Sequence, residues 1–253
     1  MTFRYNPQSI EKQVRKWPVL FSEKDLNADL ELRLNQLLNL ASKGWINPFS
    51  VSLPFEDELI YEYGIDACRL AIINKNSNSQ PETLLEPSYK WLAKLYDSLN
   101  KNKSEYAFNP IPWLEAVIQF KDHILERKSP RLALSLVMKA FNEAPPSPSL
   151  QPREKELIYA CLSPFVPIIS TTLITKENIL GPTINEIVSS FREYFCVRIA
   201  LDKGGWHWQV FSRKIYENNP ISELSKIKWI HKAIVGKQTS LKEEDGGIRI
   251  CFS

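Results

Sequence analysis

The sequence predicts a mainly α protein that ends in a small α/β domain. Two observations carry this. Between residues 84 and 162, apolar residues recur at helical spacing in several stretches separated by proline-containing links. Beyond about residue 190 the period changes to two: Cys196-Val197-Arg198-Ile199-Ala200-Leu201 and Trp206-His207-Trp208-Gln209-Val210-Phe211 flank Asp202-Lys203-Gly204-Gly205 and read as a hairpin. At 253 residues, 43% hydrophobic and 24% charged, the chain has material for one large or two modest cores.

Residues 1–55 are expected to hold N-terminal helices and a loop. Asn6 or Ser9 can cap a short helix with Pro7 in its first turn. A second helix is predicted over 27–40, with Leu30, Leu34, Leu37 and Leu38 on one face. Residues 56–188 are expected to form a helical bundle. A helix over 56–61 is stopped by Gly64, and Asp66 leads a helix to Asn74, where its charge suits the helix dipole. Over 84–100, Leu85, Tyr89, Leu92, Tyr96 and Leu99 form a stripe widened by Trp91 and Leu95. Pro110-Ile111-Pro112 introduces a helix over 113–126 carrying Trp113, Val117, Phe120 and Ile124. Ser129 can cap the next, with Pro130 in its first turn and Leu132, Leu136, Val137, Ala140 and Phe141 inside. The proline-rich link 144–152 ends it, and a further helix runs from Glu154 into Leu162-Ser163-Pro164-Phe165-Val166-Pro167. The expectation is four to five antiparallel helices, with the aromatic stripes as core.

Residues 189–253 are expected to form the α/β domain: the hairpin, a helix around 221–235, and a last strand at Ile248-Arg249-Ile250-Cys251-Phe252. Charge is uneven. From residue 191 onward eleven Lys/Arg face seven Asp/Glu, a net +4, against a whole-chain net of +3. A basic module that touches a polyanion has this balance, and so does an ordinary small surface.

Cys68, Cys161, Cys196 and Cys251 are far apart and form no C-x-x-C pair, which argues against zinc and a disulfide scaffold and fits a reducing, cytoplasmic setting. The opening Met-Thr-Phe-Arg-Tyr-Asn-Pro has no apolar run of a secretory signal, and Leu162 to Leu173 is broken by Pro164 and Pro167. His123, His207 and His231 are isolated; no Ser-His-Asp order, metal-spaced cluster or Gly-rich phosphate loop is present. No cofactor and no enzymatic activity are expected. Glu56-Asp57-Glu58 and Glu243-Glu244-Asp245 read as solvated charge runs.

Several segments, in order, resemble leucyl-tRNA synthetases, which are class I aminoacyl-tRNA synthetases. Tyr5-Asn6-Pro7 with Ile10-Glu11 and Trp17 is similar to a Tyr-x-Pro-x-x-Ile-Glu pattern at the family's N-terminus. Ser42-Lys43-Gly44 resembles the end of its Lys-Met-Ser-Lys-Ser loop, but Leu38 and Ala41 stand where the ATP-facing lysines would be. Tyr63-Gly64-Ile65-Asp66-Ala67-Cys68-Arg69-Leu70 resembles a Tyr-Gly-Ala-Asp-x-x-Arg-Leu hinge. Leu162 to Pro167 resembles the Leu-Ala-Pro-Phe-x-Pro-His element of the anticodon-binding bundle, with Ile168 in place of the His. Val235-Gly236-Lys237 and Gly247-Ile248-Arg249-Ile250 resemble parts of the small C-terminal domain, whose hairpin lysine is replaced by Gly205.

The resemblance implies a helical bundle of the anticodon-binding type plus the C-terminal α/β module, without catalytic and editing domains. It implies a non-catalytic paralogue that binds tRNA by shape and backbone. The residues expected to contact RNA are Lys203, His207, Trp208, Arg213, Lys214, Lys228, Lys232 and Lys237 in the C-terminal module, and Arg127, Lys128 and Arg131 on the bundle. Lys228 and Lys232, four apart, share a helix face suited to phosphates. His207 and Trp208 can stack on an unpaired base or on the outermost pair of a tRNA elbow, and strand alternation sends one of Trp206 and Trp208 inward. Two alternatives stay open: a protein-interaction module that has lost RNA binding, and the non-catalytic subunit of a split synthetase.

Overall fold

A computed structural model describes residues 5–14, 26–38, 53–76, 78–100, 107–120, 123–124, 129–174, 183–202, 204–244 and 246–252. It divides into two compact units, Met1–Val188 and Ser189–Ser253. The chain is mostly helical with one small mixed sheet, a helical bundle unit and a small α/β unit.

In the first unit the helices are α1 (Pro7–Val14), α2 (Leu26–Leu38), α3 (Asp57–Tyr63), α4 (Ile65–Asn74), α5 (Leu85–Asn100), α6 (Ile111–Phe120), α7 (Pro130–Glu143), α8 (Pro152–Leu162) and α9 (Pro167–Ser170); α10 (Ile184–Ser190) crosses into the second unit. The core is built on α4. Ala67, Cys68, Leu70 and Ala71 are fully buried, and so are the side chains of Asp66 and Arg69 on the same helix. A helix enclosed on all sides belongs at a bundle centre, and α4 packs against α5, α7 and α9. Of the stripe expected on α5, Leu85, Leu92 and Leu95 are buried together with Ser88, whereas Tyr89, Trp91, Tyr96 and Leu99 are half-buried. In α7 the buried set is Ala133, Leu134, Val137, Ala140 and Phe141, so the phase differs from the sequence-based expectation: Leu132 is exposed and Leu136 half-buried. The inward face of α7 thus starts at Ala133 and Leu134, and the helix packs against α6 and α4. Trp113 is buried and its Nε1–H donates to the Ala144 carbonyl at 2.8 Å, which closes the end of α7.

Gly64 ends α3 and starts α4 with φ at +83°, a conformation glycine adopts freely. A Cβ there would lie 2.5 Å from Cβ of Pro7, so the missing side chain also admits α1. Gly64 has no side chain to cap α4, and Glu11 of α1 supplies the cap instead. The Glu11 carboxylate accepts the Ile65 N–H at 2.8 Å. Gln8 donates to the Tyr61 carbonyl at 3.0 Å. Tyr5 is buried with its ring 5.3 Å from that of Tyr89 and 5.6 Å from that of Tyr96.

The second unit holds a four-stranded sheet in the order β2-β1-β4-β3. Strands β1 (Tyr194–Leu201) and β2 (His207–Ser212) form the expected antiparallel hairpin. Three short helices follow, α11 (Arg213–Asn218), α12 (Pro220–Ser225) and α13 (Lys228–Ile234). The chain returns through β3 (Thr239–Glu244) to β4 (Gly247–Phe252), which pairs antiparallel with β3 and parallel with β1. One expectation is corrected here. The helix expected over 221–235 is broken at Lys226–Ile227, where the Ser225 hydroxyl bonds the Ser222 carbonyl at 2.7 Å and competes with the helical ladder. Glu243 and Glu244 belong to β3, an edge strand that the sequence reading does not contain and whose charged residues mask its period; Glu243 is exposed.

Candidate nucleic-acid interface

The sheet separates two chemically different faces. On β1 the residues Phe195, Val197, Ile199 and Leu201 face the helices and join Phe211, Tyr216, Leu224, Ile230 and Ile250 in one apolar core. Trp229 and Ile234 of α13 pack against this core. Alternation places Tyr194, Cys196, Arg198 and Ala200 on the other face. Register then adds Trp208 opposite Arg198 on β2, and Gly247 and Arg249 on β4 beside Arg198 and Ala200. Lys242 lies opposite Arg249 on β3.

On this second face the cations and indoles are stacked. The Arg198 guanidinium lies 5.3 Å from the Trp206 ring centroid and 5.9 Å from that of Trp208. The Arg249 guanidinium lies 4.9 Å from the Trp206 ring. Arg249 is anchored by Glu244 Oε2 at 2.8 Å, and it donates to the carbonyls of Asp202 and Gly204 in the β1–β2 turn. Trp206 lies over Gly247, where a Cβ would come within 2.5 Å of its ring. Neither Trp206 nor Trp208 enters the core, against the expectation that one would. Two residues apart, they fall on the same side under a period of two, and the space over Gly247 seats the Trp206 ring on the face that Trp208 shares.

His207 does not accompany Trp208. It pairs with Ile199 on the helix side of the sheet, and its ring lies 5.0 Å from that of Trp229. The stacking pair expected from adjacent residues is thus split across the sheet, as a period of two requires.

The expected basic residues sit mainly in the helical layer. Lys228 and Lys232 are exposed, one turn apart on α13, whose Ile230 and Ile234 face the core. Both are free of ion pairs among the described residues. Lys214 is exposed on α11. Arg213 is engaged: it pairs with Glu217 at 3.3 Å, donates to the Arg192 carbonyl at 3.1 Å and stacks on Phe195 at 5.5 Å. Lys237 lies with its Nζ 4.5 Å from the Phe252 ring centroid. Arg131 is exposed in the first turn of α7, in the other unit. Lys203, Arg127 and Lys128, together with Ala41 to Gly44 of the loop, lie outside the described residues. Sequence reasoning overlooks the grouping of Arg198, Trp206 and Arg249; the hairpin register, which sets Arg198 against Trp208, is the signal that could have found it.

A cleft of about 400 Å³ in the same unit is lined by Phe195, Val197, Glu243, Glu244 and Ile248. Its lining carries Glu243 and no lysine or arginine, Glu244 being paired with Arg249, so it offers nothing to a nucleic-acid backbone. Tyr216 nearby is pushed above the usual phenol range by burial and by Glu243.

In the first unit a buried polar cluster joins elements far apart in sequence. Asp66 Oδ1 accepts the Ile168 N–H at 3.1 Å and Oδ2 the Ile169 N–H at 2.7 Å. Arg69 donates from Nε to the Phe165 carbonyl at 3.2 Å and from Nη2 to that of Pro164 at 2.7 Å. Its Nη1 lies 2.7 Å from Asp29 Oδ2, which also holds Arg33 Nε at 2.8 Å. Burial pushes Asp66 up to about 7, against the pull of the Ile169 and Ile168 amides and of Arg69. The cluster is sealed from solvent; backbone groups satisfy Asp66 and part of Arg69, while Asp29 Oδ1 has no hydrogen-bond partner among the described residues, and its work is structural.

No protein-family model and no curated protein matches the sequence. Among solved structures, the chain is similar to the agnB2 LeuRS of Agrobacterium radiobacter K84, determined as a ternary complex with tRNA and LeuAMS. The two share 16% identity with a TM-score of 0.41, over 78% of this chain; this chain spans 30% of that one's length.

Proposed function

We propose that this protein is a non-catalytic RNA-binding protein of leucyl-tRNA synthetase descent that holds tRNA by its shape and phosphate backbone. The observation that carries the reading is the exposed pair Lys228 and Lys232 on α13, one turn apart and without carboxylate partners among the described residues. Two such ammonium groups on one helix face meet successive phosphates and release counterions. Lys214 and Lys237 extend the basic surface of the same unit. The order of segments that resemble the synthetases supports tRNA over other polyanions. Leu38 and Ala41, standing where that family's loop carries lysines, support a chain that handles tRNA without activating an amino acid.

Filter binding with total tRNA at low and at moderate salt tests this. Binding that weakens steeply with salt is the expected result; no binding at low salt contradicts the reading. ATP–pyrophosphate exchange with leucine is expected to be null, and turnover would contradict the non-catalytic part alone.

A further inference from the structure

We infer that the face of the C-terminal sheet turned away from α11, α12 and α13 is a stacking platform for an unpaired RNA base, with Trp208 as the stacking ring. The inference deepens the RNA-binding reading and rests on it. Helices α11, α12 and α13 cover the opposite face, where the shared core lies. The face in question carries Arg198, Lys242 and Arg249 against the single carboxylate Glu244 among its described strand residues. It is therefore cationic as well as aromatic, the combination that holds a base by its π-face and the adjoining phosphate by charge.

The parts are held in place. Glu244 and the turn carbonyls of Asp202 and Gly204 fix Arg249, and Arg249 and Arg198 both lie against Trp206. Trp206 is thereby a positioning residue: it is seated on Gly247 and keeps the Arg198 guanidinium beside the Trp208 ring. Trp208, half-buried on the edge strand β2, has an arginine on its inner flank, and an edge position lets a strand of RNA approach from the side. A base paired within a duplex has both π-faces occupied by its neighbours, so the platform selects unpaired nucleotides. This differs from the contact made by Lys228 and Lys232, which lie in the helical layer on the other side of the sheet and read phosphates in any conformation.

The test compares the full chain with labelled oligouridylate and with a blunt RNA duplex of similar length, by fluorescence anisotropy at low salt. The expected result is preference for oligouridylate. Trp208→Ala weakens that binding roughly tenfold or more, whereas Trp208→Phe stays within a few-fold of the wild type. Lys228→Ala with Lys232→Ala weakens total tRNA but keeps the preference for the unpaired strand. Equal binding of duplex and oligouridylate, or an unchanged affinity in Trp208→Ala, overturns the platform. If total tRNA binds and oligouridylate does not, the platform alone fails; if neither binds, the RNA-binding reading fails with it. Should Trp208→Ala not fold, ultraviolet crosslinking of 5-iodouridine oligouridylate to the wild type decides. A crosslink on the peptide holding Trp206 and Trp208 supports the platform, and one confined to α13 overturns it.

Discussion

Asp66 Oδ2 accepts the backbone N–H of Ile169 at 2.7 Å, across 103 residues of sequence. The reason lies in the local sequence of α9. Its N-cap residue is Val166, which has no acceptor, and its first residue is Pro167, which has no N–H. The next two amides, of Ile168 and Ile169, are buried and need an acceptor from elsewhere. Asp66 supplies one oxygen to each. The same device recurs at α4, where Glu11 serves the amide that Gly64 cannot.

Asp66→Ala removes both acceptors from buried amides. Each unsatisfied group costs about 1–3 kcal/mol, so the variant is expected to lose on the order of 3 kcal/mol or more, measured as a lower urea midpoint of the first unit. An unchanged midpoint would contradict the capping role.

The same residue predicts a pH dependence. Burial raises the folded-state pKa of Asp66 from 3.8 to about 7, so between those values the folded state binds a proton that the unfolded state has released. Stability therefore falls as pH rises from about 4 to about 7, with a limiting slope near 1.4 kcal/mol per pH unit, and levels off above. The comparison of wild type with Asp66→Asn isolates this slope. A stability difference that is flat across the window would show that Asp66 does not titrate there.

Arg69 is expected to resist conservative replacement. It forms two bonds to carbonyls and an ion pair with Asp29 at full burial. Arg69→Leu leaves the Pro164 and Phe165 carbonyls unpaired and Asp29 with Arg33 alone, at a cost of about 3–5 kcal/mol. Arg69→Lys cannot span three acceptors with one ammonium group and should recover less than half of that loss. Thermal melts of the three proteins check the order.

Gly64→Ala combines a strained positive φ with a clash against Pro7. The expected loss exceeds about 1 kcal/mol. Pro7→Gly removes the clashing Cβ, so a double-mutant cycle should return part of the loss and leave the φ strain in place. Strict additivity of the two changes would contradict the contact.

Much of the architecture is legible in the sequence because it rests on period. The apolar stripe of α5, Gly64 as a stop, and the β1–β2 hairpin each follow from short-range pattern. Leu132 shows the limit of that reasoning: a one-residue phase difference in α7 depends on the helices it packs against, which periodicity does not contain. Strand β3 escapes notice because Lys242, Glu243 and Glu244 hide the alternation of an edge strand. The candidate interface is legible as composition but not as geometry. His207 and Trp208 are neighbours in sequence and lie on opposite faces of the sheet, whereas Arg198 and Arg249, far apart in sequence, flank the same indole. Likewise Asp66 and Arg69 can be picked out from sequence, but their partners at Pro164 to Ile169 come only with the fold.

The proposed function stands or falls on whether Lys228 and Lys232 of the C-terminal unit bind tRNA phosphates. The salt dependence of total-tRNA affinity decides this, measured for the wild type and for the Lys228→Ala/Lys232→Ala variant and plotted as log K against log salt. A steep negative slope is expected for the wild type, shallower by about 2 in the variant, roughly 1 for each lysine. Parallel lines for the two proteins, or no measurable tRNA binding by the wild type, would contradict it.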